Sequence, residues 1–254
     1  MDAYSKFAQV YDELMEDVPY GKIAEIVDSK IKKYGVENNI VLDLACGTGS
    51  LTKELAQKGY EMIGADFSAE MLQKAQEKNP DILFLNQPME DFELYGTVGA
   101  IVCSLDSVNY LLDDKSLNEM FRLCNNYLEP GGLLIFDINT DYKFKNILAD
   151  NIFTFDNEKI FYTWENNYVE DEKLCDFYLT FFVKEGERYT RFDEAHTERA
   201  YSDNEIQKAL KTNGFKVIEK LDDFTDKRAK KDSERVMYVC KNVDSIQAKH
   251  SKGE

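Results

Sequence analysis

The chain is short of the residues that most often carry metal chemistry or nucleophilic catalysis. It has two histidines, His196 and His250, and a single tryptophan in 254 residues. Its five cysteines, Cys46, Cys103, Cys124, Cys175 and Cys240, form no Cys-x-x-Cys pair, and none has a histidine at ligand spacing, so no metal site is expected. An odd, scattered set of thiols suits a reducing compartment. Four prolines and 13 glycines are too few for a low-complexity or disordered chain. No apolar run approaches the ~20 residues needed to cross a bilayer. The start, Met1-Asp2-Ala3-Tyr4, lacks the basic-then-apolar pattern of a secretory leader, so a cytoplasmic protein without membrane association is expected. Positive charge is also scarce: 31 basic residues face 48 acidic ones, a formal net charge of −17. That balance repels phosphate backbones and excludes nucleic acid as the expected partner. The basic cluster Lys227-Arg228-Ala229-Lys230-Lys231 is short and interleaved with Asp226, Asp232 and Glu234, which reads as a solvated loop.

What the chain has is an apolar run, Ile40-Val41-Leu42-Asp43-Leu44, followed by Ala45-Cys46-Gly47-Thr48-Gly49 and then Ser50-Leu51-Thr52. The run is too short for a helix and predicts a buried parallel strand, a tight glycine turn and a helix starting near Ser50. Gly47 and Gly49 let backbone approach a ligand closely, and the N–H groups at the helix start point toward it. Gly-x-Gly also opens dinucleotide sites. Asp43 discriminates: a carboxylate at the strand tip repels a pyrophosphate and attracts the ammonium and sulfonium end of S-adenosyl-L-methionine (SAM). Thr52 also stands where a dinucleotide fingerprint has its third glycine or alanine. Asp66 lies 19 residues after Gly47, at the end of the next apolar run, where a carboxylate accepts from both ribose hydroxyls.

Val41 to Gly49, followed by Gly64-Ala65-Asp66-Phe67-Ser68, resembles the first two motifs of class I SAM-dependent methyltransferases. The likeness covers nearly the whole chain. It is nearest to small bacterial methyltransferases without assigned substrates, and sugar N,N-dimethyltransferases and glycine N-methyltransferase are more distant. The resemblance implies SAM as cofactor, released as S-adenosyl-L-homocysteine, and a cofactor site formed by Tyr11, Asp43, Ala45, Cys46, Gly47, Thr48, Gly49, Asp66, Phe67, Met71, Gln87, Met89, Cys103 and Leu105. Tyr11 takes its role from Tyr4-x-x-Phe7-x-x-x-Tyr11-Asp12, which resembles a lid helix whose later tyrosine reaches the SAM carboxylate. In Asn86-Gln87-Pro88-Met89-Glu90-Asp91, Pro88 replaces the carboxylate that reads the adenine amine in the family. Gln87, a backbone carbonyl or Asp91 is left for that contact.

The resemblance also implies the fold class: an α/β, Rossmann-like, mostly parallel sheet of seven strands, with an antiparallel β insertion after the fifth. Residues 1–150 and 201–254 form the SAM-binding core of this expectation, and 151–200 form the insertion, a cover over the substrate. Independently, the segment 151–200 is rich in Phe, Tyr, Trp, Thr and Val, with turn residues at Asp156-Asn157, Glu170-Asp171-Glu172 and Glu185-Gly186, which predicts a hairpin meander. Ligands of open α/β sheets sit beyond the carboxyl ends of the strands, so Cys103 to Tyr110 and Asn139 should line the reaction site, while Asp137 is expected to hold the neighbouring loop. Asn109 stands where sugar N-methyltransferases place a histidine base, which leaves the base unassigned. The last insertion strand carries Arg191, His196, Arg199 and Tyr201. Strand parity places Arg191, Arg199 and Tyr201 on one face and His196 on the other. Asp106, Asn109, Asn139, His196 and Arg199 are therefore the candidates for acceptor binding and catalysis, with the arginines suited to an anionic acceptor. The expected function is in-line methyl transfer to N or O of a small molecule. The competing expectation is a SAM-binding or partner-binding regulator without catalysis.

Overall fold

The computed structural model describes residues 11–243. Tyr4, Phe7 and Val10 of the expected first helix, and the polar tail from Ser245, lie outside them. Residues 11–14 are helical, and a turn leads to Pro19 and helix α1 (Tyr20–Lys33). The main sheet then builds from β1 (Ile40–Leu44), α2 (Ser50–Gln57), β2 (Glu61–Asp66), α3 (Ala69–Lys78), β3 (Leu83–Asn86), β4 (Val98–Cys103), α4 (Asp114–Tyr127) and β5 (Leu128–Asn139). After a four-stranded interruption, α5 (Asp203–Thr212), β10 (Phe215–Asp222) and β11 (Arg235–Asn242) complete it.

The order across the sheet is β10-β11-β5-β4-β1-β2-β3. β1 to β5 pair in parallel, while β11 runs antiparallel between β5 and β10. This is the expected methyltransferase topology. Its central strands are apolar on both faces because helices cover both. Ala100 and Val102 of β4 pack with α1 and α2 residues such as Ile23, Val27 and Leu55. Their neighbours Ile101 and Cys103 pack on the opposite side with Phe121 of α4 and Leu210 of α5.

Helix starts follow the chemistry of their caps. Ser68 accepts from the Met71 N–H, Asp113 from the Ser116 N–H, and Ser202 with Glu205 forms a reciprocal capping box. Glu129-Pro130-Gly131-Gly132 forms an irregular stretch inside β5, with a register shift against β4 between Val98 and Ala100. The close approach of the strands there requires glycine: a Cβ on Gly132 would stand 2.8 Å from the Gly99 carbonyl oxygen.

The interruption is a second sheet of four antiparallel strands, β6 (Ile152–Asp156), β7 (Ile160–Val169), β8 (Leu174–Glu185) and β9 (Arg188–Arg199). It is preceded by a short helical segment over residues 141–148 that sequence periodicity did not announce. β8 and β9 pair without a bulge from Leu174–Arg199 to Glu185–Arg188, so parity is strict. Cys175, Phe177, Leu179 and Phe181 therefore share a face with Glu198, His196, Glu194 and Phe192. Part of that face packs on Phe144 and Leu148 of the helical segment, and part on Leu14.

Candidate active site

The turn after β1 is built from left-handed backbone. Ala45, Gly47 and Gly49 have φ of 60°, 53° and 72°. Among the described residues nothing lies within 4 Å of a Cβ added at Gly47, which leaves open space above it. Asp66, at the tip of β2, holds this turn. One carboxylate oxygen accepts from the Gly47 N–H at 2.8 Å, and the other from the Ser68 N–H at 2.9 Å. Each oxygen keeps a lone pair for a ligand hydroxyl. Burial raises the Asp66 carboxyl above its ordinary value, while the two N–H groups work against that.

Asp43 is buried and accepts from the Thr52 hydroxyl at 2.5 Å, so Thr52 clamps the very carboxylate that separates SAM from a dinucleotide. Thr48 donates to Asp12 at 2.6 Å, and Lys78 donates to Asp12, Thr48 and Ser50. These bonds pin the N-terminal segment over the cradle. Tyr11 lies with it: burial chiefly, then Tyr20, Asp106 and Asp66, raise its phenol. Tyr20, which sequence reading missed, bonds Tyr11 and Ser50 and feels Asp43.

Other expected cofactor residues divide. Burial raises the Cys46 and Cys103 thiols, which are therefore unreactive. The Cys103 sulfur lies 3.6 Å from that of Met89. Met71 is buried, and its N–H is spent on the Ser68 cap. Phe67 is 63% exposed. The Gln87 side-chain oxygen accepts from the Glu93 N–H, so it closes its own loop. Leu105, at φ 59°, gives its N–H to Asp137. An open space over Gly47, flanked by Asp43 and Asp66, fits a cationic nucleoside ligand such as SAM.

Burial raises the Asp43 carboxyl from 3.8 to about 7, against the Thr52 hydrogen bond. Between these values the folded chain keeps a proton that the unfolded chain has released. Asp43 therefore lowers stability progressively as pH rises from 3.8 to about 7. Asp43→Asn, neutral throughout, is expected to flatten that part of the profile. Urea midpoints at about pH 5 and pH 8 for both proteins measure it. Equal slopes in the two would contradict the assignment.

At the tips of β4 and β5 lies a buried charged cluster. The Asp137 carboxylate, fully buried, accepts from the successive N–H groups of Leu105 and Asp106, each at 2.9 Å. Arg235, from the start of β11, reaches both Asp137 and Asp106, the latter at 2.6 Å. Burial raises the Asp106 carboxyl, but the charges of Arg235 and Lys143 prevail and leave it below its ordinary value. The Asn139 amide donates to Glu198 at 3.2 Å, and its oxygen accepts from Lys143 at 2.9 Å. Burial, then the Asp106 charge, pushes the Glu198 carboxyl well up; burial also lowers the Lys143 ammonium. A polar cavity of about 420 Å³ lies beside Lys143 and Arg235, walled by the 222–235 loop.

The structure thus brings Asp106 and Asn139 together with Asp137, which holds the neighbouring loop, and adds Glu198, Lys143 and Arg235, which the sequence did not nominate. His196 sits two residues from Glu198 on the same face, its ring 6.1 Å from that of Tyr110. Burial lowers its imidazole below the usual value, which favours the neutral ring. Asn109 is fully buried and acts as a staple. Its amide donates to the carbonyls of Asn139 and Arg199, and its oxygen accepts from the Asn139 N–H. Arg199 does not join the cluster. As odd parity requires, its guanidinium turns away, paired with Asp114 at 2.8 Å and Glu205 at 3.3 Å and lying over the Tyr201 ring. Arg191 pairs with Asp193 on that same outer face. Among the described residues no group of His, Cys, Asp or Glu has a metal-holding arrangement.

A family model described as a methyltransferase domain matches residues 41–132. A Bacillus subtilis (strain 168) protein named as a methyltransferase, YqeM, is 36% identical over 96% of this chain and 98% of its own. The crystal structure of a SAM-dependent methyltransferase from Clostridium acetobutylicum is 37% identical, superposes with a TM-score of 0.87, and covers 94% of this chain and 99% of its own. A Streptomyces venezuelae dTDP-3-amino-3,4,6-trideoxy-α-D-glucopyranose N,N-dimethyltransferase is 29% identical over 50% of this chain and 55% of its own.

Proposed function

The chain belongs to the SAM-dependent methyltransferases, and from that premise we propose that it methylates a nitrogen or oxygen of a small-molecule acceptor bound between the tips of β4 and β5 and the inner face of the inserted sheet. The observation that carries this reading is the 3.2 Å hydrogen bond from Asn139, at the end of β5, to Glu198 on β9. It joins the sheet end where ligands of this architecture bind to the one face of the insertion that holds a histidine. The −17 net charge and the sugar-directed name of the Streptomyces relative support a small molecule over a nucleic acid.

SAM bound over Gly47 supplies an electrophilic methyl on a positively charged sulfur. The chain's own residues supply position and dryness. Asp66 and the Gly47 turn fix the nucleoside end. Asp106, held by Arg235 and by its own N–H on Asp137, lies near enough for its charge to act on the Tyr11 phenol. The inserted sheet excludes water from above. Neutral His196 accepts the proton of an acceptor that arrives protonated.

His196→Ala is expected to lower methyl transfer about 100-fold or more while leaving SAM affinity and Tm near wild type, within the usual range for a general base. Calorimetric SAM titration, a melting curve and S-adenosylhomocysteine release, measured on one preparation, separate chemistry from binding and fold. Full turnover in this variant would remove His196 from the reaction and the acceptor from this face.

A further inference from the structure

The inner face of the inserted sheet has an acidic side chain that nothing in the fold accounts for. Glu194 is 5% exposed, yet one carboxylate oxygen is buried without a hydrogen-bond partner among the described residues. No ion pair among the described residues involves it. Burial is the whole cause of the upward shift of its carboxyl. A buried carboxylate left this way costs stability, and native structures seldom keep one without a use.

Its neighbours define what it faces. Register places Trp164, Leu179 and Glu194 opposite one another across β7, β8 and β9, hence on one face. The Trp164 indole N–H is also buried without a partner. An orphaned acceptor and an orphaned donor therefore share one row. Adjacent rows bring Tyr162, Phe181 and Phe192 on one side, and Phe177 and His196 on the other. From Phe192 to Glu198 this face of β9 carries two carboxylates and no cation. Arg191 and Arg199 lie on the other face, neutralised by Asp193, Asp114 and Glu205.

We infer that Glu194 anchors a cationic group of the methyl acceptor, so that the acceptor is an organic cation, an amine or guanidine with an apolar body, and not an anion. This inference rests on the acceptor lying beneath the inserted sheet. Glu194 is two residues from His196 along an extended strand, a separation of ~7 Å. The anchored cation thus lies beside the transfer point, not at it, and sets specificity and affinity. The ring-rich rows on either side of Glu194 suit the acceptor's apolar body, and the aromatic faces add attraction for the cation. The orphaned Trp164 N–H is left for an oxygen of the same molecule.

The test uses the full chain, SAM and a protein-free cell metabolite extract, split at neutral pH on a cation-exchange resin into retained and unretained fractions. S-adenosylhomocysteine release is expected with the retained fraction. Glu194→Gln should raise KM for that fraction about 10-fold or more, the loss expected for a hydrogen bond to a charge, with little change in kcat and in SAM affinity. Without extract, the melting temperature of Glu194→Gln should equal or exceed that of wild type, because an unpaired buried charge is removed. Release only with the unretained fraction would overturn the inference and leave small-molecule methylation standing. Unchanged KM in Glu194→Gln, or a marked fall in its melting temperature, would also overturn it. Release with neither fraction would remove the small-molecule reading and the inference with it.

Discussion

Replacing Arg235 by leucine is expected to destabilise the protein by about 3–5 kcal/mol, the range for breaking a buried ion pair from one side. The size follows from what is left behind. Asp137 is fully buried and Asp106 partly so, and Arg235 is the cation that reaches both. Without it, both carboxyls must take up protons or stay charged in an apolar surround, and either costs more than the lost attraction. Loss should be smaller at acid pH, where protonation relieves the two carboxyls, and larger toward neutrality. Arg235→Lys keeps the charge but not the planar fork that spans two carboxylates, so it should fall between leucine and wild type. Urea unfolding at two pH values checks all three statements. A leucine variant as stable as wild type at neutral pH would show that the cluster is not what holds the 104–110 loop to β5.

Asp66→Ala is expected to weaken SAM binding by about 1.5–3 kcal/mol, roughly 10- to 150-fold in dissociation constant. Two effects act together. The ribose hydroxyls lose a charged acceptor, and the Gly47 and Ser68 N–H groups lose the carboxylate that sets the cradle's shape. Asp66→Asn retains one acceptor oxygen without charge and should show a smaller loss. Isothermal titration with SAM at equal protein stability separates these effects. Undiminished affinity in Asp66→Ala would contradict the cofactor site.

The parallel-sheet core was legible because its signals are local. The run Ile40 to Leu44, the glycine turn, Asp66 at the end of the next strand, and the Ser202–Glu205 capping box each carry their own chemistry within a few residues. The four-stranded insertion was legible from aromatic and β-branched texture and from its turn residues. Parity along β9 correctly separated His196 from Arg191 and Arg199, because no bulge breaks the register. What parity could not tell was which face turns inward. Nor could it tell that Arg199 would be claimed by two helix starts, through Asp114, distant in sequence, and Glu205, six residues on. The charged cluster was invisible for the same reason. Arg235 meets Asp106 and Asp137 only because β11 inserts antiparallel beside β5, which brings its first residue to the carboxyl end of the sheet. Lys143 comes from a helical segment too short to show periodicity, marked only by Thr140, whose hydroxyl accepts from the Lys143 N–H. Glu198 and Glu194 read as ordinary surface carboxylates of a strand until the fold buries them.

The central claim is that methyl groups pass from SAM to a small molecule under the inserted sheet. It is tested most directly by following an isotopically labelled methyl from SAM into a cell lysate in the presence of this protein. After ultrafiltration and nuclease and protease digestion of the retained material, the label is predicted in the filtrate, in one or a few metabolites. It should disappear from them when His196→Ala replaces the wild type. Label found in nucleotides or amino acids released from the retained macromolecules, with none in the filtrate, would contradict the account.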